Sequence, residues 1–182
     1  MKVTPLKLQG AFVIDPIVHK DNRGFFMESY NQYNHQKEGL NYSFIQDNHS
    51  LSKEVGVIRG LHYQLNPKSQ TKLVRVTSGA IYDVIVDIRK NSGTYGKWIG
   101  IILSEYNYRQ LLVPQGFAHG FCTLVPNTEV IYKVDDYYSP EHDRGILWND
   151  PDLEIDWPTS TPILSDKDKK HPCLKDAEIN FT

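Results

Sequence analysis

What most constrains this chain is a succession of short segments rich in β-branched and aromatic residues, each closed by a turn signal. They run Ala11–Val18, Gly24–Tyr30, Leu73–Val76, Ala80–Ile88, Trp98–Leu103, Arg109–Val113, His119–Thr123 and Thr128–Val134. Asp21-Asn22-Arg23-Gly24, Asn66-Pro67, Ser78-Gly79, Asn91-Ser92-Gly93 and Pro114-Gln115-Gly116 punctuate them. Short strands at this spacing predict an antiparallel sandwich or barrel. Helices are expected only at the periphery: one over Tyr30–Glu38, closed by Gly39, and one after Leu164, where Ser165 caps Asp166–Lys169. No repeat or interior linker divides the chain, so residues 1–182 read as one domain. An N-terminal arm is expected over about residues 1–12. The Pro-rich stretch Trp157–Pro162 leads into a C-terminal arm over about 158–182.

One strand carries an unusual alternation. Over Ala80–Arg89, Tyr82, Val84, Val86 and Ile88 fall on one face and Asp83, Ile85, Asp87 and Arg89 on the other. The ionisable face either meets solvent or, in a barrel, lines a pocket.

Composition removes several function classes. Lys and Arg total 20 against 22 Asp and Glu, a net charge of -2, which disfavours a broad basic surface for nucleic acid. Two cysteines, Cys122 and Cys173, support neither a disulfide scaffold nor a cysteine zinc site. The opening stretch lacks the apolar core of a signal peptide, and no apolar run approaches the roughly 20 residues of a membrane helix. The expected setting is the reduced cytoplasm, with no membrane contact.

Three segments carry residues capable of chemistry. Val57–Gln64 sets Arg59 beside Gly60 and then His62. If this strand is regular, Arg59, Leu61 and Tyr63 share one side and Gly60, His62 and Gln64 the other. Lys72 lies in the β-rich run Gln70–Val76, where it is either an exposed edge charge or a buried electrophilic group. Thr128–Tyr138 holds Tyr132, Tyr137 and Tyr138, each a packing residue, a proton donor or a stacking platform.

Pro114-Gln115-Gly116-Phe117-Ala118-His119 resembles the second motif of the cupin superfamily, whose fold is a double-stranded β-helix, or jelly roll. In metal-binding cupins the matching first motif carries His-x-His. Here that site reads His62-Tyr63-Gln64, so the metal set is incomplete and no catalytic metal is expected.

Taken in order, the motifs resemble the dTDP-4-dehydrorhamnose 3,5-epimerase family. They are Asp21–Tyr30, Phe44–Ser50, Arg59–Gln64, Lys72–Val76, Asp83–Arg89, Pro114–Phe121, Tyr132–Pro140, Leu147–Asp150 and Leu164–Asp168. The resemblance implies an all-β cupin jelly roll with a few short peripheral helices, acting without a cofactor on dTDP-4-dehydro-6-deoxy-D-glucose. It implies His62 as general base, Asp168 as its hydrogen-bond partner, Tyr132 as acid on the opposite face of the sugar, and Lys72 beside the developing C4 oxyanion. Arg59 would bind the diphosphate and Tyr138 would stack on thymine. Arg23, Glu28, Gln46, Asp47, Asn48 and His119 would line the nucleotide-sugar site, with Asp143 and Lys167 as further contacts. The family also implies a homodimer, with Met1–Phe12 pairing to the partner's sheet. Rival readings are an epimerase that inverts C3 or C5 alone, a metal-dependent cupin and a sugar-binding cupin without turnover.

Overall fold

The structure is a computed structural model that describes Met1–Thr182. Its strands are β1 Lys2–Pro5, β2 Phe12–Asp15, β3 His19–Asp21, β4 Gly24–Phe26, β5 Gln46–Ser52, β6 Ile58–Gln64, β7 Lys72–Ser78, β8 Ala80–Asp87, β9 Trp98–Ser104, β10 Gln110–Val113, β11 Phe117–Thr123, β12 Thr128–Val134 and β13 Asp143–Gly145. One helix, α1 Gln32–Lys37, follows the β3–β4 hairpin. The strands form a six-stranded sheet, ordered β1-β2-β10-β7-β12-β5, and a five-stranded sheet, ordered β13-β6-β11-β8-β9. Within both sheets every pairing is antiparallel, as the jelly-roll expectation required.

Alternation explains how the sheets pack. Val74, Val76, Leu111, Val113 and Val130 of the six-stranded sheet meet Ile81, Ile85, Leu103, Phe117 and Phe121 of the five-stranded sheet in one buried cluster. The other face of the five-stranded sheet carries Leu61, Tyr63, Val84, Val86 and Ile88. Leu153, Trp157, Leu174, Ile179 and Phe181 cover it. The C-terminal segment is therefore a structural layer of the domain. The Tyr63 hydroxyl donates to the Glu178 carbonyl at 2.7 Å and the Lys90 amide to the Phe181 carbonyl at 3.1 Å.

That cover settles the alternation of β8. Both of its faces are buried, so Asp83 and Asp87 are fully inside rather than at the surface. Each has partners, as a buried charge requires. Asp83 meets His119 at 2.5 Å. Burial pushes the Asp87 carboxyl up, but hydrogen bonds from Arg89, Ser92 and Thr94 outweigh it and hold it at about 2.

The expected helices are shorter than the sequence implied. The Asn31 side chain caps α1 by accepting from the Asn34 amide at 3.2 Å. Ser165 does accept from the Asp168 amide, at 3.1 Å, but only a 3-10 turn follows, Asp168–Lys170. Pro172 lies two residues on, where it opposes a longer helix.

Candidate active site

A cavity of about 460 Å³ opens between the two sheets, in the size range of small-molecule sites. Its polar wall comprises Ser50, Arg59, His62, Lys72, His119, Tyr132, Ser165, Lys167 and Asp168. A second cavity of about 220 Å³ shares His62, Lys72, Tyr132 and Lys167 and adds Gln64, Gln70, Tyr138 and Asp143. Residues from 50 to 168 in the sequence thus converge at one place.

The wall formed by β6 depends on an irregularity. Against β11, His62 pairs with His119 but Arg59 pairs with Phe121, so three steps along β6 oppose two along β11. This bulge corrects the regular alternation expected from sequence, and Arg59 and His62 both reach the cavity. Gly60 makes the bulge possible. Its φ is +130°, and a Cβ there would lie 2.5 Å from Gly120 Cα and 2.8 Å from the His119 carbonyl.

His62 Nε2 lies 2.6 Å from Asp168 Oδ1, leaving Nδ1 free to accept a proton. Burial pushes the imidazole below its ordinary pKa. Asp168 opposes this, and Lys72 and Lys167 reinforce it. The ring is therefore neutral near neutral pH. Burial alone would raise the Asp168 carboxyl, but the imidazoles of His171 and His62 hold it well below the usual carboxylate range.

The facing wall is the inner side of the six-stranded sheet. Tyr132 pairs with Val74 on β7 and Asn48 on β5, and Val134 pairs with Lys72 and Gln46. Lys72, Tyr132, Asn48 and Gln46 therefore share one face. The Lys72 ammonium sits 3.4 Å from the His62 carbonyl. Burial lowers its pKa to about 8, against the pull of Asp143 and Asp83. Burial raises the Tyr132 phenol, with Arg59 opposing, so it stays protonated. Arg59 gives Nε to the Ser52 hydroxyl and one Nη to the Leu51 carbonyl, each at 3.2 Å. This leaves other donors of its fork unspent.

At the mouth, the Tyr138 hydroxyl donates to Asp143 at 3.0 Å, and the Lys167 ammonium pairs with the same carboxylate. Gln46 accepts from the Tyr138 amide at 3.2 Å and donates to Asn48 at 3.0 Å.

Three predicted residues lie elsewhere in the single chain. Asp47 alternates onto the opposite face of β5 and pairs with Lys133 at 2.8 Å. Arg23 is 85% exposed on the β3–β4 hairpin, paired with Asp21. Glu28 accepts from Asn31 and Asn34 beside a separate cavity of about 320 Å³ that shares no lining residue with the first. Sequence reasoning missed Ser50 and Ser165, which line the main cavity, and His171, 3.5 Å from Asp168.

Comparison with known proteins now decides the family. Residues 5–176 match the sequence model of the dTDP-4-dehydrorhamnose 3,5-epimerases. The chain belongs to that family. A dTDP-4-dehydrorhamnose 3,5-epimerase of Shigella flexneri is 49% identical over 98% of both chains. The crystal structure of the Bacillus anthracis 3,5-epimerase, with TDP and PPi bound, superposes with a TM-score of 0.93 at 59% identity, covering 94% of this chain and 98% of that one. The Legionella pneumophila enzyme in complex with dTDP-4-keto-L-rhamnose gives 0.91 at 43% identity, covering 96% and 93%. Membership makes this 3,5-epimerase-family chain an isomerase on a cupin-like jelly roll. No helix of it is long and apolar enough to cross a membrane.

Proposed function

We propose that this chain inverts C3 and C5 of dTDP-4-dehydro-6-deoxy-D-glucose, giving dTDP-4-dehydro-L-rhamnose, with His62 as base and Tyr132 as acid. One observation carries the reading: an Asp168-held imidazole on one sheet faces a protonated phenol on the other across a single cavity. Inversion requires that arrangement, because the proton must leave one face of the sugar and return to the other.

His62 Nδ1 takes the proton α to the C4 ketone. The C–H electron pair becomes the C=C bond of an enolate, and the carbonyl π pair moves to O4. The Lys72 ammonium stabilises that oxygen. A single oxyanion donor of this kind is worth about 3–4 kcal/mol. Tyr132 then delivers its proton from the far side, and solvent resets both groups. Since the ketone activates both neighbouring carbons, one acid–base pair serves each in turn and no redox cofactor is needed. Arg59 holds the diphosphate. His119, Gln46, Asn48, Asp143 and Lys167 contact the nucleotide sugar, and Tyr138 stacks on the base.

A homodimer accounts for two of the three predicted residues outside the cavity, Arg23 and Glu28. Arg23, in the turn of the β3–β4 hairpin, and Glu28, just after β4, flank Phe25 and Phe26, which are 54% and 70% exposed, an unusual display of apolar area. A second copy covering that hairpin would bury it and bring these side chains toward a site. Met1–Phe12, with β1 at a sheet edge, would supply strand pairing.

Borohydride trapping of the keto product tests the activity. Stereoanalysis of the reduced sugar is expected to show L-rhamnose and its C4 epimer. Inversion at one carbon alone would replace the assignment with a single-site epimerase. The same assay run against pH is expected to give a bell. The acid limb falls below the ordinary histidine pKa, because burial lowers that of His62 and only the neutral ring is a base. The alkaline limb falls near 8, where Lys72 loses its charge.

A further inference from the structure

We propose that His62, Asp168 and His171 form a binding site for a divalent d-block cation such as Zn²⁺, and that occupying it switches the enzyme off. The inference rests on His62 being the base. Its starting point is His171, which supports Asp168 but takes no part in the proton transfers themselves. The side chain is 10% exposed, and its buried Nε2 makes no hydrogen bond of good geometry, facing the Asp168 carboxylate at the long distance of 3.5 Å. A buried nitrogen held by so long a contact is poorly satisfied, and a closer ligand would relieve it. Gly145 leaves room for the ring: a Cβ there would come within 2.4 Å of that same Nε2.

The nitrogen is aimed at the catalytic pair. It lies 3.5 Å from Asp168 Oδ1, the oxygen that meets His62 Nε2 at 2.6 Å, and the two rings stand edge to face at 5.5 Å. The three donor atoms all lie within 4.8 Å of one another. Two imidazoles and a carboxylate are a zinc-type donor set. A tetrahedral ion with bonds of about 2.0–2.1 Å needs donor separations of about 3.3 Å. The Asp168–His171 edge is already close to that. Binding requires the His62–Asp168 edge of 2.6 Å to lengthen and the two imidazole nitrogens, within 4.8 Å of one another, to approach that separation.

Proton bookkeeping explains the inhibition. Without the ion, His62 Nε2–H donates to Asp168 and the Nδ1 lone pair faces the substrate. The ion takes the Nε2 lone pair, and the displaced proton ends on Nδ1. Nothing is oxidised and no net proton is released from the neutral ring. The base nitrogen is now capped.

The test compares the metal-stripped full-length protein with His171→Ala and the bulkier His171→Gln. Co²⁺ titration is expected to raise a visible tetrahedral band in the wild type, absent from both variants and from Asp168→Asn. Zn²⁺ is expected to inhibit wild-type turnover. Loss of the His171 ligand should raise the half-inhibitory concentration at least ~10-fold, by comparison with what lesser changes around metal sites cost. The ratio of turnover with and without Zn²⁺ is read, so a change in basal rate does not matter. Equal inhibition of the variants, turnover insensitive to Zn²⁺, or no His171-dependent band overturns the proposal. Absence of turnover in the metal-free wild type would instead overturn the epimerase reading, while the Co²⁺ titration still reports on the site.

Discussion

His62→Ala is expected to lower kcat by about 10²–10⁴-fold, the range a positioned general base contributes. The affinity for dTDP should stay within a few-fold, because Arg59 and the groups at the mouth lie on other parts of the wall. The split matters. A residue that merely shaped the cavity would change KM or binding along with kcat, whereas loss of the base removes a step that only the reacting sugar experiences. Asp168 is buried and loses its principal donor in this variant, so a modest fall in Tm is also expected. Asp168→Asn should be less severe than His62→Ala, since the imidazole remains but its orientation and imidazolium form are no longer favoured. Stopped assays of turnover beside equilibrium titration with dTDP separate these outcomes. Wild-type kcat in His62→Ala would remove the base assignment.

Lys72→Met is expected to move activity and stability in opposite directions. Turnover should fall about 10²–10³-fold, the cost of one oxyanion donor. Stability should rise at neutral pH. Burial depresses the lysine from 10.5 to about 8, so keeping it charged costs the fold roughly 3 kcal/mol. The sign follows from proton counts: between 8 and 10.5 the unfolded chain holds a proton that the folded chain has lost, so stability climbs with pH through that window. The cost is complete below pH 8 and gone above 10.5. Asp143 and Asp83 lose a favourable neighbour in the variant, but Lys167 and His119 still partner them, so about 1–2 kcal/mol of gain should remain. For a chain of this size that raises Tm by several degrees at pH 7, at about 2–4 °C per kcal/mol. Calorimetry at pH 7 and pH 10.5 checks the sign, since the advantage should fade at the higher value. A variant that keeps its activity, or melts lower at pH 7, would contradict this account of the lysine.

Much of the strand content was legible because one-sided burial writes itself into period 2, as in Thr128–Val134. The layer order was not. β2 pairs with β10 and β6 with β11, and no local pattern encodes partners so far apart. Nor could Ile179 and Phe181 be read as core residues, since isolated apolar residues in a polar tail have no periodicity. The site divided along the same line. His62, Lys72, Tyr132 and Asp168 came from motif order, but Arg59 reaches the cavity only through the bulge at Gly60. Strict alternation along β5 would have separated Asp47 from Gln46 and Asn48, a signal present in the sequence and unused. His171 lies beyond every motif, and only the fold of the C-terminal segment brings it to Asp168.

The central claim is that base and acid act from opposite sheets. Tyr132→Phe, incubated in D2O with dTDP-4-dehydro-6-deoxy-D-glucose and followed by proton NMR, tests it most directly. The account predicts that His62 still opens the C–H bonds, so deuterium enters at C3 and C5 while inverted product falls far behind the label. Inversion at the wild-type rate in that variant would contradict it, because the second proton would then come from some group other than the phenol facing His62.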